Sequence, residues 1–319
     1  MHAFILAGGF ATRLWPITER RAKPLLPLAG QPLISHLIDR IPKNIPITVS
    51  TNEAFGEDFE QWNKNQNRDG IKIVVEKTAN DDQKLGALGA VAQWIKQEDI
   101  QDDLLLLTGD NYIGFSVKDF LSHATPGFSL LATPDIGSKE QAKAFGTVIL
   151  KEDGKRIAAF EEKPKEPKST LVSTGCSLLS SEILPVLLEY AHEHPDNVGG
   201  IFEELLQRNI PIECYHFEEP WFDIGSFDAY LEATNKLVGD NLLIEPSSEI
   251  KNTDHNGAIV IGAKSTVAGS SLRNVVIFNE CKIEDCVLEN CVIDNNCTLK
   301  GVDLNKKMIR EGTNLNQKL

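Results

Sequence analysis

The sequence predicts an α/β protein, with a mostly parallel sheet flanked by helices over residues 1–240 and a stack of short extended segments over 241–319. Three observations carry this expectation. Short apolar runs alternate with longer amphipathic ones through the first part, the pattern of strands covered by helices. Helical spacing then stops and a regular repeat begins. The 319 residues are 41% hydrophobic and 24% charged, so a sizeable core can be buried.

Strands are expected where aliphatic and β-branched residues run together between turn residues: Ala3–Ala7, Ile47–Ser50, Ile71–Val75, Leu104–Leu107, Ser129–Ala132, Thr147–Leu150, Ile157–Phe160, Leu171–Leu179 and Ile212–Phe217. Helices are expected at Pro32–Arg40, Gly56–Asn65, Gly86–Lys96, Gly200–Arg208 and Ser226–Leu237. The run from Lys151 to Lys155 reads as a hairpin turn between two of the strands.

In the C-terminal part, apolar residues fall at Ile261, Val267, Leu272, Ile277, Ile283, Leu288, Ile293, Leu299 and Leu304, and three successive gaps sum to 16 residues. Ile261, Ile277 and Ile293 would therefore stack, as would Val267, Ile283 and Leu299. A small or apolar residue sits two positions before each, and side chains two apart on an extended segment point the same way. Residues 257–304 resemble the left-handed parallel β-helix of hexapeptide-repeat proteins, which implies a structural or oligomerising role and a homo-oligomer built through the coil. Four of the six cysteines follow the coil period, so they are read as buried free thiols and not as zinc ligands.

Acidic residues outnumber basic ones by 46 to 32, a net charge of −14, which opposes binding of nucleic acid through its phosphates. No apolar run is long enough to cross a bilayer, and no Lys or Arg precedes Ala3–Ala7 as a signal peptide would require. The expectation is a cytoplasmic protein with no nucleic-acid or membrane partner. A few focused basic residues could still hold a phosphorylated small molecule.

The strongest motif opens the chain: Leu6-Ala7-Gly8-Gly9-Phe10-Ala11-Thr12-Arg13-Leu14-Trp15-Pro16, followed by Lys23-Pro24-Leu25-Leu26-Pro27 and Gly30-Gln31-Pro32-Leu33-Ile34. Glycines after a strand let backbone N–H groups approach an anion, and Arg13 and Lys23 supply charge to hold a triphosphate. The segment lacks a G-x-x-x-x-G-K-[ST] loop, and Phe10 stands where a dinucleotide fingerprint needs glycine.

This run resembles the sugar-1-phosphate nucleotidylyltransferases, whose fold is Rossmann-like. It departs at Ala11, where the family usually has a third glycine. The resemblance makes Arg13, Lys23 and Asp110 catalytic, with Ala7, Gly8, Gly9, Arg13, Lys23, Glu76 and Gly86 on the nucleotide. Asp110 follows a buried run, Leu104–Leu107, and the resemblance makes it a magnesium ligand together with Asp223 of Trp221-Phe222-Asp223-Ile224-Gly225-Ser226. The segment from Lys84 to Val91 is similar to a base-reading stretch, with Ala87 in place of the usual Thr. Phe145-Gly146, Glu162-Lys163-Pro164 and Gly175 match elements on the sugar side, implying that Gly146, Glu162, Lys163 and Gly175 bind the sugar phosphate; an expected Asn is missing beside Gly175.

Plainer readings stand beside these. Asp110 could be a turn residue, Glu76 an exposed strand-end carboxylate, Glu161 to Lys165 a solvated loop, and Asp223 with Ser226 the dressing of a helix start. The implied reaction joins a nucleoside triphosphate to a sugar 1-phosphate with Mg2+ as cofactor. Chain length leans toward glucose 1-phosphate with dTTP or UTP, then mannose 1-phosphate with GTP. The alternatives are a non-catalytic regulatory or assembly relative and, for the repeat, an acyltransferase.

Overall fold

The computed structural model describes residues 1–76 and 85–317. Seven strands build the central sheet: β1 (His2–Leu6), β2 (Ile47–Asn52), β3 (Ile71–Glu76), β4 (Leu104–Thr108), β5 (Ser129–Thr133), β8 (Cys176–Leu179) and β9 (Ile212–His216). Between β5 and β8 the chain forms an antiparallel hairpin, β6 (Thr147–Leu150) and β7 (Ile157–Glu161). The sheet order is β9-β5-β8-β4-β1-β2-β3. Strand β8 alone runs antiparallel to both neighbours, and every other pair in the sheet is parallel.

Burial on both faces explains the composition of the inner strands. Leu104–Leu107 are each 2% exposed or less, the continuous apolar run of a strand covered on two sides. The helices are α1 (Leu33–Arg40), α2 (Gly56–Lys64), α3 (Ala87–Gln97), α4 (Val117–Ser122), α5 (Lys139–Ala142), α6 (Leu184–Glu193), α7 (Gly200–Gln207) and α8 (Phe227–Val238). On α3, Leu88, Val91, Ala92 and Ile95 form one stripe that joins α6 and α7 in a cluster with Phe4, Leu104 and Leu106 of the sheet.

Three helices, α4, α5 and α6, were not expected from the sequence, and the expected strand over 171–179 is shorter. Only Cys176–Leu179 joins the sheet, because Gly175 turns with φ 68. Helix α6 begins on Leu184-Pro185, where a proline in the first turn removes no helical hydrogen bond. The hairpin turn is held by Asp153, whose Oδ1 accepts from the amides of Lys155 and Arg156.

From Leu242 onward, short parallel strands alternate between two ladders. The expected columns form: Ile261 pairs with Ile277 and Ile277 with Ile293, while Val267 pairs with Ile283 and Ile283 with Leu299. Cys281, Cys286, Cys291 and Cys297 are buried free thiols on the inward columns. Corners fall on left-handed residues. Asn252, Lys264, Asn274, Glu280, Asp285, Asn290, Asn296 and Lys306 have φ between 47 and 60, and several corner columns repeat every 16 residues. Side chains repeat with them, and Asn274 Nδ2 donates to Asn290 Oδ1 at 3.1 Å.

Contacts divide the chain into two compact units that do not follow the change of texture near residue 240. One holds Met1–Gly9 and His36–Trp221, the other Phe10–Ser35 and Phe222–Leu319. Within the second unit, residues 10–35 are tied to the C-terminal part at several points. Arg21 donates through Nη1 and Nη2 to Asp294 Oδ1 at 3.2 and 3.3 Å, and its guanidinium lies 5.1 Å from the centre of the Phe278 ring. Arg310 pairs with Glu19 at 3.1 Å, and the Tyr230 hydroxyl donates to the Pro27 carbonyl. Asp294 is only 4% exposed, and burial pushes its carboxyl up despite Arg21 beside it.

Removing one partner of such a pair strands the other charge. Asp294→Ala is expected to lower unfolding stability by about 3 kcal/mol, and Asp294→Asn, which still accepts a hydrogen bond, by less. Denaturant unfolding of both variants checks this; a loss below about 1 kcal/mol for the alanine variant would mean Arg21 is satisfied without Asp294.

Candidate functional site

The candidate residues divide between the two units. In the first, β1 ends at Leu6 and the chain turns through Ala7, Gly8 and Gly9. The Ala7 amide donates to Ser50 O, and Asn52 Nδ2 donates to Gly8 O at 2.9 Å, so β2 fixes the start of the turn. A Cβ on Gly9 would meet nothing within 4 Å, leaving its backbone open to an incoming group. A Cβ on Gly8 would lie 3.4 Å from Glu76 Oε1, which accepts from Ser50 Oγ at 2.7 Å. The turn and Glu76 are thus brought together.

Gly86 has a different setting. It precedes α3 with φ 82, and a Cβ there would sit 2.4 Å from Pro195 O. That carbonyl also accepts from the amides of Leu88 and Gly89, so the first turn of α3 is satisfied by the chain itself. Its positive φ and the close packing against Pro195 both call for glycine here. Lys84, which opens the same run, lies outside the described residues.

Asp110 follows β4 after the single residue Gly109. Asn111 Nδ2 donates to Asp110 Oδ1 at 3.0 Å and to Thr108 Oγ1 at 2.8 Å, while Asn111 Oδ1 accepts from Trp221 Nε1 at 2.7 Å. Asn111 is 7% exposed, so this relay holds the carboxylate in one orientation. Sequence reasoning missed Asn111 and the indole, because the two residues are 110 positions apart.

Antiparallel β8 brings Gly175 to the same end of β4. Thr108 N donates to Gly175 O, and a Cβ on Gly175 would sit 2.4 Å from Thr108 Oγ1. Gly146 is linked in turn, its carbonyl accepting from the Ser173 amide at 2.8 Å. A Cβ on Gly146 would meet Phe160 at 2.3 Å and Glu162 Oε2 at 3.0 Å, and one on Gly199 would meet the same Oε2 at 2.0 Å. Glu162 therefore needs two bare backbones to fit, and its amide donates to Glu203 Oε1. Gly199 was not anticipated; the Gly199-Gly200 pair opening α7 was the available signal. Lys163 adopts φ 45, its side chain is 66% exposed, and its ammonium lies 3.5 Å from Glu162 Oε1. Thr174, beside the missing Asn, donates to Ala132 O and is buried.

The second unit carries Arg13, Lys23 and Asp223. Arg13 is exposed on a single 3-10 turn, Thr12–Leu14. Ala11 before it sits at φ 47 and ψ 43, the left-handed conformation that makes glycine the easier residue there. Thr18 Oγ1 donates to Ala11 O at 2.8 Å and helps hold it. Lys23 is 8% exposed, with its ammonium 3.6 Å from Asp223 Oδ1. Ser226 caps α8, its Oγ accepting from the Ala229 amide, so the helix-start reading holds for that residue.

Among the described residues no group of three or more His, Cys, Asp and Glu could cage a metal ion. The donor chemistry fits magnesium all the same. That ion is bound through one or two carboxylates together with substrate phosphates, and Asp110 and Asp223 are hard oxygen donors of this type. Among the described residues no helix is long and apolar enough to cross a membrane.

The chain as a whole has relatives among known proteins. The chain is 26% identical over 268 residues to a UTP–glucose-1-phosphate uridylyltransferase of Synechocystis, covering 81% of this chain and 66% of that protein. It is 29% identical over 266 residues to a glucose-1-phosphate adenylyltransferase of Thermotoga maritima, covering 74% of this chain and 60% of the relative. A protein of Sulfolobus acidocaldarius, named provisionally as a mannose-1-phosphate guanyltransferase, is 26% identical over 292 residues, with 86% and 75% covered. The chain thus spans less than two thirds of the length of the first two relatives. The fold matches a crystal structure from Bacillus anthracis, described provisionally as a glucose-1-phosphate thymidylyltransferase, with a TM-score of 0.64 at 23% identity, over 76% of this chain and 96% of the other. The sequence model of the nucleotidyl transferases matches residues 2–239, most of the chain, and on that match this protein belongs to the nucleotidyl transferase family.

Proposed function

We propose that the protein joins a nucleoside triphosphate to a sugar 1-phosphate, giving a nucleoside diphosphate sugar and pyrophosphate. The observation that carries the reading is the linked set around the end of β4. Asp110 is held by the Trp221–Asn111 relay, and Thr108 abuts Gly175. Gly146 follows through Ser173, and then Glu162 and Lys163. The relatives named above act on sugar 1-phosphates with different bases, which supports this class and leaves the base open.

In the proposed reaction an oxygen of the sugar phosphate attacks the α-phosphorus in line. The bond from that phosphorus to the oxygen bridging the β-phosphate breaks, and the pair of electrons leaves with pyrophosphate. A phosphate monoester is already a nucleophile at neutral pH, so no side chain has to remove a proton. The barrier is electrostatic: two anions must meet, and charge grows on the leaving group.

The backbone of Gly8 and Gly9 would receive phosphate oxygens, Arg13 would balance charge on the departing pyrophosphate, and Lys23 would hold the triphosphate. Glu162 would accept from sugar hydroxyls, and Lys163, whose side chain is largely exposed, would pair with the sugar phosphate. Asp110 and Asp223 would hold magnesium, which supplies positive charge to the phosphate oxygens when bound.

Asp110→Asn and Asp223→Asn are each expected to lower kcat by about 1000-fold with the fold intact, and a chelator to abolish turnover of the wild type until magnesium is restored. Pyrophosphate release measures all three, and near-normal rates in either variant would defeat its assignment. Lys163→Ala should raise KM for the sugar phosphate by about 10-fold or more with KM for the triphosphate unchanged. Initial-rate kinetics with each substrate varied separates the two; an unchanged KM for the sugar phosphate would remove Lys163 from that role.

A further inference from the structure

The chain runs from β1 to β2 and β3 on one side of the sheet and returns to β4 on the other. A ligand of such a sheet lies beyond the carboxyl ends of the strands where the order reverses, here around β1 and the Gly8-Gly9 turn. On the β3 side of that turn stands the carboxylate of Glu76.

Glu76 closes β3 and is half-buried. Ser50 Oγ fixes its Oε1 at 2.7 Å, and that oxygen lies 3.4 Å from where a Gly8 Cβ would be. Asn52, one residue beyond Thr51 on the strand between, ties its side chain to Gly8 O. A carboxylate is therefore built onto the rim of a turn whose bare amides favour anions. Burial pushes the carboxyl up, against the hydrogen bond from Ser50. Placed against phosphate it would be repelled, by roughly 4 kcal/mol for unit charges 4 Å apart near a protein surface. It is useful there only against a part of the nucleotide that donates hydrogen bonds.

An ionised carboxylate can only accept, whereas a Gln amide donates and accepts side by side. The bases differ in the same terms. Uracil and thymine place one N–H between two carbonyls, and adenine and cytosine place an amino group beside a ring-nitrogen acceptor. Guanine alone carries two adjacent donors, N1–H and the N2 amino group, and a carboxylate meets that edge with two parallel hydrogen bonds. We propose that Glu76 reads the base of the triphosphate and that the base it selects is guanine. The proposal rests on the nucleotidyltransferase reading above and replaces the lean toward dTTP or UTP drawn from chain length.

The test compares GTP, ITP, UTP, dTTP and ATP at pH 8 with glucose 1-phosphate and mannose 1-phosphate, reading pyrophosphate release, and titrates GTP and UTP by calorimetry. The expected kcat/KM for GTP exceeds that for UTP by about 100-fold, and ITP, which lacks the N2 amino group, falls below GTP by about 10-fold. Glu76→Gln keeps an acceptor for Ser50 but offers a donor to the base. It is expected to lose about 100-fold with GTP and to gain with UTP. A wild type that prefers UTP, dTTP or ATP, or treats ITP and GTP alike, overturns the proposal, as does a Gln variant with unchanged base preference. Failure of every pair to release pyrophosphate would sink the enzymatic reading instead. Calorimetry then decides the base on its own: tighter GTP binding supports guanine, and equal or tighter UTP binding overturns it.

Discussion

Parallel pairing is the constraint from which the rest of the first unit follows. Strands that pair in parallel and in register all finish at one edge of the sheet, whatever their sequence separation. β1, β2, β3 and β4 therefore deliver Gly8, Asn52, Glu76 and Asp110 to a common rim, although these residues are scattered over the first third of the chain. The antiparallel strand β8 obeys the same geometry in reverse. Its residues pair Cys176 with Leu107, so its beginning and not its end reaches that rim, and Gly175 arrives beside Thr108. In β4 polarity begins only at the rim, since four consecutive leucines leave no hydrogen-bonding side chain until Thr108.

In the second unit the governing interaction is a buried ion pair. Before α1 begins at Leu33, residues 10–32 contain little regular structure of their own, only short 3-10 turns and a two-residue strand pair. Their order depends on what they are tied to, and Arg21–Asp294, Glu19–Arg310 and Tyr230–Pro27 supply the ties. Arg21 stands two residues before Lys23, so the same short stretch carries both the anchor and the ammonium beside Asp223. The coil suits an anchoring role because three corners per turn and stacked columns leave its side chains few alternatives.

The architecture was legible because it is written in periods. Alternating apolar runs gave the sheet and most helices, and a 16-residue repeat gave the stacked columns. The corners of the coil were not read, since Asn252, Lys264, Glu280 and Asp285 look like ordinary surface residues until φ shows what they do. Helix α6 was missed because Pro185 suggests a break, yet in a first turn it costs nothing. Of the candidate site, strand-end residues such as Gly8, Gly9 and Asp110 could be placed from local pattern alone. The relay from Trp221 through Asn111 could not, because it joins distant segments, and Gly199 matters only through a carboxylate brought to it by folding. Ala11 illustrates the opposite case. Its departure from glycine was visible in the sequence, and the structure adds that it occupies the conformation glycine would favour.

The central claim is that the α-phosphorus of a nucleoside triphosphate is attacked by a sugar phosphate and pyrophosphate leaves intact. Following radioactive phosphorus through the reaction tests this most directly, with GTP labelled either at the α or at the γ position and supplied with sugar 1-phosphate and magnesium. The account predicts that α label appears in the nucleotide sugar and γ label only in pyrophosphate. Transfer of γ label to the sugar, or its release as inorganic phosphate in the absence of any pyrophosphatase, would contradict it.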